Sequence, residues 1–281
     1  MQIINHPDEM SRWSDATRAR GERIALVPTM GFLHDGHMAL MREGRARAGA
    51  LVASIFVNPT QFGPGEDLAR YPRDFERDAG MLKTVPVNVI FTPDASAMYS
   101  ADAETWVEAT QVTRGLCGAF RPGHFRGVTT VVAKLFNIVK PHLAIFGEKD
   151  FQQLRAIQRM VSDLNFDLEI VSVPIVRERD GLAMSSRNAY LSPEERERAL
   201  ALSLALRAAR DRYRCAPCSG EELVAVATRV LNQTPGVEIE YVEAVDARTL
   251  APASSIHSPI LLAIAARVGK TRLIDNTVLS P

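Results

Sequence analysis

Residues 23–37 read RIALVPTMGFLHDGH, a short apolar β-branched run that stops at Pro28 and ends with His34 and His37 three positions apart. A run of this length, bounded by proline and glycine and followed by helical spacing, is a buried strand leading through a tight turn into a helix. Further candidate strands extend outward from it: Leu51–Val57, Val87–Phe91, Leu143–Phe146 and Glu169–Val176, with Arg23–Val27 as the first. Segments of helical spacing separate them, such as Met38–Ala48 and Val128–Lys140. That alternation predicts an α/β fold built on a parallel sheet.

After Arg179 the chain changes character. A polar stretch, RDGLAMSSRN, leads into SPEERERALALSLALRAARDRYR. Ser192 suits an N-cap and Pro193 the first helical position, while Glu194 and Glu195 complement the positive helix end. A second helix over Gly220–Leu231 and strands at Val237–Ala244, Ile260–Arg267 and Thr271–Asp275 predict a smaller α+β unit. The expected organisation is a Rossmann-like N-terminal domain over 1–179 and an α+β lid domain over 180–281.

The 281 residues are 46% apolar and 23% charged, an ordinary globular composition with room for a large core. Lys plus Arg and Asp plus Glu both number 33. No global field therefore attracts nucleic acid or an anionic membrane, and neither is an expected partner. The N-terminal MQIINHPDEM lacks a basic segment followed by an apolar run, and no stretch approaches a membrane span, so a cytoplasmic location is expected. Cys117, Cys215 and Cys218 are too few for a disulfide framework and are expected to be reduced. The lone CAPC has no second pair to complete a zinc site, and both its cysteines are expected in a loop before a helix.

Polar residues of unusual kind follow the strands, where open α/β sheets bind ligands. The segments are PTMGFLHDGH (28–37), NPTQFGPGEDLARYPRD (58–74), GEKDFQQ (147–153) and RERDGLAMSSRN (177–188), and the sequence predicts that they converge on one cleft. His34 and His37 can point from a helix N-terminus towards an anion, with Gly31 making the turn and Gly36 leaving room for a flat ring or a phosphate. Asn58 and Gln61 suit the hydroxyls and carboxylate of a small polar substrate, although Asn58 also suits a turn before Pro59. Lys149 offers charge to a polyphosphate, and Asp150 could hold magnesium or a ribose. Ser185, Ser186 and Arg187 supply two hydroxyls and a guanidinium on a segment read as flexible enough to close over phosphates. RPGHFRG (121–127) is a further basic loop, favoured for binding or an interface over surface decoration. Neither GxxxxGK[ST] nor GxGxxG occurs, so phosphate must be held in another way.

Together PTMGFLHDGH, FVNPTQFGPGEDLARYPRD, RPGHFRGV, FGEKDFQQ and SSRNAYL resemble, in order and spacing, the motif series of pantothenate synthetases. The resemblance is close over Ile24–Leu191 and looser to RLIDN at Arg272–Asn276; Gly65 stands where a polar residue is common in that family. It implies an ATP- and magnesium-dependent ligation of pantoate to β-alanine through a pantoyl adenylate, in a homodimer. It places ATP along Met30, Gly31, Phe32, Leu33, His34, Asp35, Gly36 and His37, then Gly147, Glu148, Lys149 and Asp150, and finally Val176, Met184, Ser185, Ser186 and Arg187. Pantoate would meet Gln61 and Gln153, with Asn58 beside them, and β-alanine would enter beside Gln61. His37 matches a catalytic proton donor; His34, Lys149 and Arg187 complete the expected catalytic set. The alternative reading is a nucleotidyltransferase that adenylylates a phosphorylated coenzyme precursor; amide side chains in NPTQF, where an acceptor phosphate would need bases, argue against it.

Overall fold

In the computed structural model, which describes residues 1–253 and 258–280, the chain forms two compact units. The first comprises 1–110, 121–148 and 153–174; the second comprises 111–120, 149–152 and 175–281.

The first unit carries six strands, β1 (Gln2–Ile4), β2 (Ile24–Thr29), β3 (Ala50–Ile55), β4 (Val89–Phe91), β5 (Leu143–Gly147) and β6 (Glu169–Val173). They form one parallel sheet in the order β1-β4-β3-β2-β5-β6. Its helices are α1 (Pro7–Ala19), α2 (Asp35–Arg47), α3 (Phe75–Leu82), the single turn α4 (Ala95–Met98), and, beyond a second single turn α5 (Cys117–Phe120) that belongs to the second unit, α6 (His124–Val139) and α7 (Phe151–Asp163). Strand residues alternate between two cores because successive side chains point to opposite faces. Ile24 and Leu26 of β2 join Val52, Phe91 and the apolar face of α6, whereas Ala25 and Val27 join Leu51, Ile90 and Met41 of α2. Burial on both faces explains why these strands read as unbroken apolar runs.

The second unit is a three-stranded antiparallel sheet, β7 (Val237–Asp246), β8 (Ile260–Val268) and β9 (Thr271–Leu279), with α8 (Pro193–Cys215) and α9 (Gly220–Asn232). Leu262, Ile264 and Ala266 of the central strand pack with α8 and α9; Leu261, Ala263 and Ala265 pack with Val112, Leu116 and Phe151. The short pieces 111–120 and 149–152 thus cover the face of β8 that the helices leave open. Gln152, 6% exposed, ties the two pieces by donating from Nε2 to Val112 O at 3.0 Å and Gly115 O at 2.8 Å.

The expected strands form with small shifts in their ends, and β9 continues four residues past Asp275. Glu169–Val176 is shorter than expected, because Pro174 follows Val173 and can donate nothing to the ladder. Strand β1 and helices α1, α3 and α7 were not among the expected elements. Ser192 caps α8 as expected, in a reciprocal box with Glu195. One correction concerns CAPC: Cys215 is the last residue of α8, and only Cys218 lies in the loop before α9. All three cysteines are free. Among the described residues no helix is long and apolar enough to cross a membrane.

Candidate active site

Strand order reverses at β2, which has β3 on one side and β5 on the other, so the crevice beyond the carboxyl ends of β2 and β5 is the topological switch point. The β2 end releases Met30–His37 and the β5 end releases Gly147 and Glu148.

The turn after β2 is a backbone cradle. Gly31 (φ +82°) and Phe32 (φ +49°) are both left-handed, a conformation glycine adopts freely and phenylalanine at a cost of about 1–2 kcal/mol. What holds it is Asp78 on α3, 1% exposed, which accepts from Phe32 N–H and Leu33 N–H at 2.7 Å each. Burial raises the Asp78 carboxyl above its ordinary range, against the opposing pull of those two N–H groups and of Arg77. Thr29 closes the turn from the other side: its Oγ1 donates to Ser54 O at 2.7 Å and accepts from Gly31 N–H at 3.2 Å.

His34 is the N-cap residue of α2 and His37 lies one turn in; the ring centroids are 4.0 Å apart. His34 N–H donates to His37 Nδ1 at 3.3 Å. In neutral His37 the proton therefore sits on Nε2, which is the hydrogen-bond donor. Asp35 and Gly36 form the first turn of α2, where backbone N–H groups and the helix dipole favour an anion.

After β3, the turn Pro59–Gln61 is organised by Asn58, 1% exposed. Its Oδ1 accepts from Thr60 N–H at 3.3 Å, Thr60 Oγ1 at 2.9 Å and Tyr99 OH at 3.0 Å. Its Nδ2 donates to Gly127 O and Gln61 Oε1, both at 3.1 Å. A main-chain N–H can only donate and a main-chain carbonyl can only accept, so Thr60 and Gly127 fix which way the Asn58 amide faces. Asn58 in turn fixes Gln61. With Oε1 accepting from Asn58, Gln61 presents its Nε2 protons, one of them to Met30 Sδ at 3.2 Å. Gln61 is thereby a fixed donor suited to an oxygen ligand. Gln153 is half-buried near the start of α7.

The remaining expected residues belong to the second unit. Lys149, with a side chain 19% exposed, lies 3.9 Å from Asp150, whose side chain is 52% exposed. Its carbonyl accepts from Asn276 Nδ2 at 2.9 Å. The segment 177–188, expected to be flexible, carries a hydrogen-bonded hairpin over 176–184: Arg177 bridges Ala183, Glu178 N–H donates to Leu182 O, and Met184 N–H to Val176 O. Arg177 anchors it through a two-pronged ion pair, Nη1 and Nη2 reaching Asp275 Oδ2 and Oδ1 at 2.6 and 2.9 Å. Asn188 donates to Glu178 Oε1 at 2.7 Å and Ala183 O at 3.1 Å. Ser185 caps the following turn, Ser186–Tyr190, by accepting from Arg187 N–H, and Ser186 is buried.

The four segments read as strand-following loops are thus divided among the two units. The first brings together Met30–His37, Asn58 and Gln61, with Gly147 and Glu148 at the neighbouring strand end. The second brings together Lys149, Asp150, Asn276 and the segment 176–188. Among the described residues no group of three or more His, Cys, Asp and Glu side chains is arranged to hold a metal ion. The carboxylate of Asp150, with its side chain 52% exposed, is of the chemistry that a magnesium ion takes, one or two to an ion beside phosphate oxygens and water. Asp78 was missed by sequence reasoning because nothing local marks a helix aspartate as the partner of a turn 45 residues earlier. Asp275 and Asn276 carried a faint signal, two polar residues directly after the apolar pair Leu273–Ile274 within a strand.

Comparison with known proteins agrees with this geometry. The profile of the family described as Pantoate-beta-alanine ligase matches residues 2–278. The chain is 57% identical to the pantothenate synthetase of Geobacter sulfurreducens over 279 residues, covering 99% of each. Among solved structures it is similar to pantothenate synthetase from Thermus thermophilus, with TM-score 0.92, 44% identity and all of both chains covered. It is also similar to pantoate-beta-alanine ligase from Francisella tularensis, complexed with beta-gamma ATP and beta-alanine, with TM-score 0.82, 31% identity and coverage of 99% and 97%. A strand-turn-helix cradle at the switch point, an amide donor beside it and a full-length match to one family lead to one conclusion: this chain belongs to the pantoate–β-alanine ligase family.

Proposed function

We propose that this chain condenses pantoate with β-alanine at the expense of ATP, through a pantoyl adenylate, releasing AMP and pyrophosphate. The observation that carries the reading is the pairing of an anion-binding cradle, Gly31–His37, with the fixed amide donor of Gln61, linked to it through Met30. The Francisella relative's complex with a nucleotide and β-alanine supports the same pair of ligands here.

Pantoate is ionised at neutral pH, since carboxyl pKa values lie near ~4, so its attack on the α-phosphorus requires no general base. The task is to bring one anion to another and to stabilise charge on departing pyrophosphate, which calls for preorganised donors and cations. ATP lies along Met30–His37, Gly147–Asp150, Val176 and Met184–Arg187. His37 donates from Nε2 to phosphate oxygen, with His34 beside it at the positive end of α2. Lys149, Ser186 and Arg187 neutralise the β and γ phosphates. Magnesium, with Asp150 as a protein ligand, supplies further neutralisation when bound. Gln61 and Gln153 take the oxygens of pantoate, and Asn58 acts through Gln61. In the second half-reaction the neutral amine of β-alanine, entering beside Gln61, attacks the acyl carbon and AMP departs with the anhydride oxygen. An amine of this kind is protonated in water at pH 7, and desolvation favours the neutral form. A lid function for residues 180–281, a homodimer and a cytoplasmic location complete the reading.

The test is pantoate-dependent exchange of labelled pyrophosphate into ATP with magnesium present and β-alanine absent. Exchange is the expected result. Its absence in protein that binds ATP would sink the acyl-adenylate mechanism, and accumulation of an adenylylated product from a phosphorylated acceptor would favour a nucleotidyltransferase.

A further inference from the structure

The RPGHFRG segment has no role in the chemistry above, yet it wraps the backbone of Gln61. His124, the first residue of α6, places Nδ1 2.8 Å from Gln61 O. Arg121 Nη1 lies 3.0 Å from His124 Nε2, and Arg121 Nη2 lies 3.3 Å from the same Gln61 carbonyl. A guanidinium can only donate, so His124 Nε2 accepts and Nδ1 carries the proton that goes to Gln61 O. Glu66 holds Arg121 in this pose with Oε1 and Oε2 at 2.7 and 2.6 Å from Nε and Nη2. Burial opposes ionisation of Glu66, but the Arg121 pair outweighs it and leaves the carboxyl below its ordinary range. Gly127 completes the wrap: a Cβ there would lie 2.4 Å from Thr60 O and 2.7 Å from Gln61 Cα, so only glycine lets α6 approach this closely.

We propose that Arg121 and His124 are positioning residues for the pantoate subsite, clamping the Gln61 carbonyl so that its side-chain amide is delivered as a fixed donor. The proposal rests on the assignment of Gln61 to pantoate made above. Three constraints act on one residue: His124 and Arg121 on its carbonyl, Gly127 against its Cα, and Asn58 on its Oε1. Free rotation of Gln61 would let its oxygen face the substrate carboxylate, which repels it.

The experiment compares the full-length protein with His124→Ala and His124→Asn in pyrophosphate exchange, and determines the substrate-free structure of each. The Asn amide nitrogen takes roughly the place of Nδ1, so it restores the donor without the ring. Expected for His124→Ala is a five- to tenfold rise in KM for pantoate, about the worth of one hydrogen bond, with KM for ATP unchanged. Expected for His124→Asn is recovery to within about twofold of the parent, on the same basis. The substrate-free His124→Ala structure should show the Gln61 carbonyl displaced by more than about 0.5 Å, the tolerance of a preorganised site. Parental pantoate KM in His124→Ala with Gln61 unmoved would overturn the proposal, as would equal losses in both variants. Displacement of Gln61 supports the clamp even if the parent fails to exchange pyrophosphate; that failure would count against the assignment of pantoate instead.

Discussion

Replacing Asp78 by asparagine separates the work of the Gly31–His37 cradle, proposed above to hold ATP, from the stability of the fold. The carboxylate is 1% exposed and gives one oxygen to each of two consecutive N–H groups, at Phe32 and Leu33. Asparagine keeps one acceptor and turns an NH2 towards the other N–H, so one charge-assisted bond is lost, worth about 1.5–3 kcal/mol. Phe32 then has less to hold it left-handed at φ +49°, and the turn can relax. If the whole loss falls on nucleotide binding, KM for ATP rises roughly 10- to 150-fold, since about 1.4 kcal/mol is tenfold. Global stability moves differently. Burial holds the Asp78 pKa above its unfolded value, so the stability linked to its proton is complete below the unfolded pKa, near ~4, and is lost as pH rises through the folded pKa. At neutral pH the ionised side chain is a net burden that asparagine lacks, and the variant's urea midpoint relative to the parent should climb as pH is raised out of the carboxylate range. The assays are urea unfolding at several pH values and exchange kinetics at varied ATP. A parental KM for ATP would refute the reasoning, because it would mean that the turn keeps its shape without the second bond.

Lys149→Ala should lower single-turnover adenylation by two to three decades, the loss of about 3–4 kcal/mol from one preorganised charge, while far-UV circular dichroism stays parental. Asp275→Ala leaves Arg177 facing a 2%-exposed gap with its own side chain 29% exposed; about 3 kcal/mol of stability should go, the low end for breaking a buried pair. Limited proteolysis should then cut within 177–183 faster than in the parent, since the hairpin loses its anchor.

The parallel sheet was legible because strands covered on both faces must be apolar throughout, and β2, β3 and β5 are. Helix α8 was legible from its start, where Ser192 and Glu195 satisfy N–H groups that no helix can satisfy itself and Pro193 brings no N–H of its own. The turn at Gly31 and the histidines at the start of α2 followed from the same local rules. By contrast β1 is a three-residue strand, too short for any period to register, and α1, with Trp13 and Met10 among polar neighbours, carries only a weak stripe.

What the chain's order alone could not yield is which distant groups complete each local motif. The amino-acid sequence determined the residue types proposed to meet a nucleotide and an acid: two histidines at a helix mouth, an amide after a strand, a lysine and a Ser-Ser-Arg run. Only the tertiary structure decided that Asp78 holds the first of these, that Gly127 O and Thr60 N–H set the direction of Asn58 and hence of Gln61, and that Asp275 anchors the hairpin before Ser185. It also decided that 111–120 and 149–152 fold with the C-terminal sheet, by covering the apolar face of β8. The physical reason is the same in each case. Periodicity and capping are satisfied within a few residues, whereas a buried donor or acceptor takes whatever partner the packed chain brings within about 3 Å, at any separation along it.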